Sequence, residues 1–343
     1  MAAGDFILGF LAGCAAIVVV LALVAFSLIK SGDVYGLGHW KLNVKAPFPS
    51  MWMNLGYWQP DRTNDDGTPI QHLDEAARNM LANILKAAGL VSTNSTQNSV
   101  AVLDVGFGCG DQTVALAELI QAPSRSQFRY VGLTLNETQR QAAQQRLDAT
   151  LLAADKRDVE NTSIKLFQAD AAKPESWDKA ITTAVDNLSD KAFSERWLLG
   201  LDCLYHFSPS RKPIFKHASQ NIDANVMAFD LILGDNISLW QTLAVRLLGF
   251  VLLCPWQTFL TEAQYREQLV ECGYDRGDIE IRDISDHVFA GLAGFLQRQD
   301  AALKPYGISL TGYSAVGRVY DWFERTRVLK GVIVVGRKKS KSQ

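Results

Sequence analysis

Residues 102–113 read VLDVGFGCGDQT. An apolar run closes on Asp104, Gly106, Gly108 and Gly110 take alternate positions, and Asp111 opens a helical pattern. Three glycines in five residues suit backbone that turns tightly or approaches another group closely. In a doubly wound sheet, the first strand-to-helix turn is where a nucleotide meets the chain. The dinucleotide fingerprint G-x-G-x-x-G is only half met: Gly106 and Gly108 fit, Asp111 holds the third place, and Gly110 comes one residue early. A carboxylate at the strand end suits a ligand with a positive end and is unwelcome beside a pyrophosphate. The stretch therefore predicts a parallel α/β sheet with a cation-bearing ligand at its first turn.

The rest of the chain agrees with that architecture. From Val100 onward, seven apolar runs alternate with helical patterns: VAVLDVG, FRYVGLTL, IKLFQA, WLLGLDCL, VMAFDLIL, IEIRDI and VIVVGRK. The helical patterns include DQTVALAELI, NETQRQAAQQRLDATLLAA and TEAQYREQLVECG, and a further one, residues 71–90, precedes the first strand. Near-continuous apolar strands separated by helices predict a doubly wound, mostly parallel seven-stranded sheet covered on both faces. Between the fifth and sixth strands, residues 237–260 are interrupted only by Arg246 and Pro255. This stretch reads either as a buried cover helix or as an apolar lid or membrane-facing insertion. A second span is disfavoured because it would carry Arg246 into the bilayer.

Residues 6–29 carry no charge and are closed by Lys30. About 20 apolar residues cross a bilayer core, so residues 1–30 predict a transmembrane helix. Asp5 before the run and Lys30, Lys41 and Lys45 after it predict a cytosolic main domain. Five cysteines without a CxxC pair suit the same reducing side. The expected organisation is an anchor (1–30), a linker and cofactor-covering segment (31–70), and a catalytic domain (71–343). The expected location is a single-pass position in an endoplasmic-reticulum-type membrane. A net charge of −2 gives no global attraction to nucleic acid, and the five histidines show no metal-ligand spacing.

VLDVGFGCGDQT resembles motif I of the class I S-adenosyl-L-methionine-dependent methyltransferases. YVGLTLNETQRQAA narrows the resemblance to the γ-tocopherol, sterol and natural-product group, with cyclopropane-fatty-acid synthases more distant. The resemblance spans about residues 50–340 and implies a Rossmann-like fold, methyl transfer and this cofactor, whose sulfonium and ammonium match the strand-end carboxylate. It implies cofactor contacts from Asp104, Gly106, Gly108, Gly110, Gln112, Thr134, Leu135 and Gln139. FQADAAKPESW, from Phe167, resembles the third-strand segment, which implies that Asp170 and Ala171 hold the adenine edge; Asp170 also reads as a turn cap. PSMWMNLGYW resembles a segment folded over the cofactor and implies Tyr57 near the sulfonium, although such an aromatic cluster also suits an interfacial belt. The chain departs from the group before the fifth strand, where SQNIDANVMAFDL replaces an L-x-P-G-G turn.

WLLGLDCLYHFSPSRKPIF resembles the group's fourth-strand motif, which places Asp202, Tyr205 and His206 at the carboxyl end of that strand. Methyl transfer asks the protein chiefly for positioning and water exclusion. His206 is the expected general base, since its free pKa lies near neutrality, and Tyr205 is expected to orient the substrate. The anchor and the 237–260 stretch favour a lipophilic small-molecule acceptor; the methylated atom stays open. Two other readings remain: a nicotinamide-dependent oxidoreductase and a non-catalytic membrane scaffold of the same fold.

Overall fold

The computed structural model describes residues 13–15, 17–20, 44–45, 48–58, 70–91, 99–120, 127–153 and 162–339. The chain forms two compact units. One comprises Met1–Lys45 and Ala301–Ser309, the other Ala46–Asp300 and Leu310–Gln343. In the first unit, the described residues 13–15 and 17–20 are helical and exposed. The predicted span 6–29 otherwise lies outside the described residues, among which no helix is long and apolar enough to cross a membrane.

The larger unit is built on β1 (Val100–Val105), β2 (Phe128–Thr134), β3 (Thr162–Gln168), β4 (Glu195–Leu201), β5 (Asn225–Leu233), β6 (Tyr274–Asp283) and β7 (Leu329–Lys338). Its helices are α1 (Leu73–Ala87), α2 (Asp111–Ile120), α3 (Glu137–Ala153), α4 (Lys179–Asp186), α5 (Lys212–His217), α6 (Leu239–Val251), α7 (Glu262–Glu271), α8 (Phe289–Leu303) and α9 (Thr311–Thr326). The seven strands form one sheet in the order β3-β2-β1-β4-β5-β7-β6, and only β7 runs against the others. The predicted mostly parallel, seven-stranded sheet is therefore present.

The period of two divides the core. Val100 and Val102 of β1 belong to the apolar cluster on one face, with Leu81 and Ile84 of α1 and Leu116 of α2. Ala101, Leu103 and Val105 belong to the cluster on the other, with Ile181 of α4, Phe215 of α5 and Leu269 of α7. All six β1 residues are buried, which is why the strand reads as an unbroken apolar run apart from Asp104.

Three helices differ from the sequence expectation. The helices α8 and α9 between β6 and β7 were not among the expected patterns. The buried-cover reading of 237–260 is also overturned: the segment forms one thirteen-residue helix, α6, of which only Val245 and Gly249 are buried.

Candidate active site

The strand order reverses at β1/β4, and the crevice above their carboxyl ends is where α/β sheets place ligands. A cavity of about 510 Å³ opens there, lined by the loops that follow β1, β2, β3 and β4. Gly106, Gly108 and Gly110 have φ of 82°, 64° and 93°, so each occupies the left-handed region. Their tasks differ. A Cβ on Gly106 would meet Cys203 Cβ and Sγ at 2.9 Å, and one on Gly110 would meet Ala143 Cα at 2.7 Å. Gly106 thus lets the loop close on β4, and Gly110 lets α3 pack against α2. A Cβ on Gly108 would meet nothing closer than Met53 Sδ at 3.8 Å, and Gly108 lines the cavity.

Gly106, Gly108, Gln112, Thr134, Leu135, Gln139, Asp170, Ala171, Tyr205 and His206 all line the cavity. Thr134 Oγ1 donates to Gln139 Oε1 at 2.8 Å, which joins the end of β2 to the start of α3. Asn136 caps α3, its Oδ1 accepting from Thr138 N at 2.9 Å and Gln139 N at 3.3 Å. Asp170 faces the cavity and also caps its own turn, since Oδ1 accepts from Ala172 N at 2.9 Å.

Three expected cofactor residues lie elsewhere. Gly110 packs between helices and does not line the cavity. Asp104 is fully buried and does not line it either. Its carboxylate accepts from Gln112 Nε2 at 2.7 and 2.8 Å and from Tyr130 Oη at 2.7 Å, so the amide of Gln112 stands between it and the crevice. Burial pushes the Asp104 pKa up to about 7 against those two donors. Tyr57 is buried in the core, its ring stacked on His287 at a centroid distance of 4.7 Å. Its N–H donates to Ala76 O at 2.8 Å and its carbonyl accepts from Asn79 Nδ2 at 3.0 Å, bonds that turn it toward α1.

Residues 48–58, which include the segment expected to fold over the cofactor, form a strap over the crevice, but the residues of it that line the cavity are Met51 to Leu55 and not Tyr57. Arg146 of α3 donates to the carbonyls of Phe48 and Pro49 at 3.0 and 3.1 Å. Met51 N donates to Asp111 at 3.2 Å, and Leu55 N donates to Asp202 Oδ2 at 2.8 Å. Asp202 adopts φ 61°, a position that costs a non-glycine residue energy and recurs at functional sites. Its other oxygen accepts from Tyr205 Oη at 2.8 Å, and burial pushes its pKa up to about 7.

His206 closes a single 3-10 turn, Leu204–His206, and keeps an edge open to solvent. Its ring lies 4.5 Å from that of Tyr205, and Nδ1 is 3.5 Å from Cys254 Sγ. Partial burial holds its pKa below the ordinary value, so the imidazole is neutral at neutral pH. Burial also pushes the Cys254 thiol up to about 11, which leaves it a thiol and not a nucleophile. Tyr320 of α9 adds a ring that the sequence reading missed. The spacing of Val316, Val319, Tyr320 and Phe323 is the helical signal that marks it.

Among the described lining residues, three are carboxylates (Asp111, Asp170 and Asp202), and none is Lys or Arg. The chemistry of this set fits a cationic ligand and fits a pyrophosphate poorly.

Against solved structures, the chain matches the cyclopropane synthase MmaA2 from Mycobacterium tuberculosis with 17% identity and a TM-score of 0.53, over 82% of this chain and 92% of that one. It matches the cyclase SpnF with 17% identity and a TM-score of 0.51, over 90% and 95%. It matches phosphoethanolamine N-methyltransferase 2 of Haemonchus contortus, in complex with S-adenosyl-L-methionine, with 14% identity and a TM-score of 0.51, over 76% and 53%. The fold is that of the class I methyltransferases. The resemblance read from the glycine loop is thus met at the level of fold. No protein-family model and no curated protein sequence matches the chain.

Proposed function

We propose that this protein is an S-adenosyl-L-methionine-dependent methyltransferase acting on a lipophilic small molecule and held at a membrane by residues 6–29. One observation carries the reading. The glycine loop opens at the switch point into a cavity whose described lining holds three carboxyl groups and no Lys or Arg, although Arg146 and Lys173 pair with Asp111 and Asp170 from outside it and burial raises the Asp202 pKa to about 7. Such a lining attracts a sulfonium and an ammonium and repels phosphates, which disfavours the nicotinamide alternative. The glycine-loop geometry and the S-adenosyl-L-methionine held by a protein of the same fold support the choice of cofactor.

The cofactor would supply an electrophilic methyl group. Gly108, Gln112, Thr134, Gln139, Asp170 and Ala171 would hold it, on the face of the crevice formed by β1, β2 and β3. Asp202 ties the strap to the end of β4 through Leu55 N and orients Tyr205 through its hydroxyl. His206, neutral and at the open edge, would take a proton from an acidic acceptor atom. A prenylated ring, sterol or related lipid fits the aromatic wall of Phe207, Tyr205 and Tyr320.

Titration calorimetry of the full chain in detergent separates the readings. S-adenosylhomocysteine should give saturable heat, and NADH none. Heat with NADH and none with S-adenosylhomocysteine would overturn the proposal. Because the cyclase SpnF shares the fold, transfer of labelled methyl groups into lipid extract is the second arm.

A further inference from the structure

The helix α6 is locally specified: Ser238 Oγ accepts from Gln241 N at 3.2 Å and Gln241 Oε1 accepts from Ser238 N at 2.8 Å, a reciprocal capping box. One side rests on the domain, where Gly249 leaves room for Phe259. The other side is bare. Leu239 is 89% exposed, Trp240 80% and Phe250 65%, and the loop beyond the helix adds Leu253 at 86%. Leu247 and Trp256 extend the same surface. Soluble surfaces rarely leave so many large apolar side chains contiguous, so this face has an occupant.

Three observations select a lipid bilayer. Tryptophans, Trp240 and Trp256, stand at opposite ends of the apolar stretch, as at a membrane–water boundary. Arg246, the one charged residue of α6, is half-buried beside the bare face, where its stem can stay apolar while the guanidinium reaches headgroup level. Residues 6–29 form an uncharged run long enough to hold the chain at a membrane.

We propose that the exposed face of α6 and the loop through Trp256 lie in the headgroup–acyl boundary, with the mouth of the cavity directed at the bilayer. The connection to the site is short. Leu253 is followed by Cys254, whose Sγ approaches His206 Nδ1, and His206 lines the cavity. The acceptor then enters from the lipid and never crosses water. That route rests on the lipophilic-acceptor reading above, whereas the membrane contact does not.

The test uses the full chain in vesicles of phosphatidylcholine and phosphatidylserine. A fluorophore is attached at Leu247→Cys or Leu253→Cys in a Cys14→Ser background, since Cys14 is the exposed native thiol. A label at Lys191→Cys, beyond the amino end of β4, serves as control, and the chain without an introduced cysteine as blank. Quenching by nitroxide lipids should place both α6-side labels about 5–10 Å inside the headgroup boundary, with the Lys191 label unquenched. Equal access of aqueous iodide to all three labels would overturn the docking. So would labels shielded from both quenchers: disulfide crosslinking through Leu247→Cys would then assign the face to a second copy, and its absence to another segment of the same chain. Calorimetry with S-adenosylhomocysteine on the same labelled chains keeps the two readings apart. Intact binding with unquenched labels condemns the docking alone, and quenched labels without binding condemn the cofactor reading alone.

Discussion

The loops after β1, β2 and β3 shape one wall of the cavity with backbone, whereas the loop after β4 shapes the other, braced from behind by a buried side-chain network that includes β5 and the segment after it. On the first wall, partners sit close in sequence: Asn136 bonds Thr138 and Gln139, and Asp170 bonds Ala172. On the second, Arg211 pairs with Asp230 and donates to Thr258 O, while Tyr265 Oη donates to Asp230 at 2.9 Å. Thr258 Oγ1 then donates to Tyr205 O at 2.7 Å, which ties this network to the active turn. The first wall is a local construction suited to one invariant ligand shape. The second is assembled from distant segments, so its contour can vary without disturbing the glycine loop.

The largest expected effect falls on the second wall. His206→Ala should lower methyl transfer into lipid extract by about 10²–10⁴-fold, the usual worth of a general base. S-adenosylhomocysteine affinity should stay unchanged, because the residues proposed to hold the cofactor lie on the other wall. Since burial lowers the His206 pKa, the parent rate should fall only on the acid side of the free-histidine value. Equal losses in affinity and rate would assign His206 to cavity support and erase the division of labour.

Arg211→Met tests what holds the second wall. It leaves Asp230, fully buried, facing only Tyr265 and its neighbouring amide. Losing one partner of a buried ion pair costs about 3–5 kcal/mol, so the urea midpoint should fall accordingly. Asp230→Leu added to Arg211→Met should recover much of that loss. A double variant as unstable as the single one would show that packing, not the unpaired charge, is decisive.

The glycine loop offers the matching test of the first wall. Gly110→Ala incurs both left-handed strain and a clash with the α3 backbone at Ala143, together about 2–4 kcal/mol by urea unfolding. Gly108→Ala meets open space and should cost only the conformational part, about 1–2 kcal/mol, while weakening cofactor binding more than Gly110→Ala does. Equal stability losses would mean that the loop relaxes and that backbone does not hold this wall.

The first wall was therefore legible in the sequence and the second only in part. Seven apolar runs, glycine spacing and the Asn136 cap are local signals, and all seven strands form where those runs lie. The helix α8 carries Gly291 and Gly294, poor helix formers that weaken its local signal. Yet Gly291 is there for packing, since a Cβ on it would overlap Trp58. Tyr57 and Asp104 were misplaced for a related reason. Whether a strand-end carboxylate faces a cavity depends on which side chains reach it from other elements, and Tyr130 and Gln112 reach Asp104 first. For Tyr57, the deciding bonds come from α1.

That misplacement yields the smallest prediction, a pH dependence of stability. In the unfolded chain Asp104 ionises near 3.8; in the folded protein burial delays ionisation to about 7. Between those values the native state holds a proton that the unfolded state has lost, so stability falls as pH rises, and above the folded pKa the whole penalty is present. Asp104→Asn has no proton to lose. Its stability relative to the parent should therefore rise by about 2 kcal/mol between about pH 5 and about pH 7, then level off above the folded pKa. Asp202, displaced in the same direction, leaves a residual slope in the variant. A flat difference would mean that Asp104 is already ionised in the fold. The buried carboxylate would then contribute standing negative charge beneath Gln112, in addition to the carboxyl groups that line the cavity.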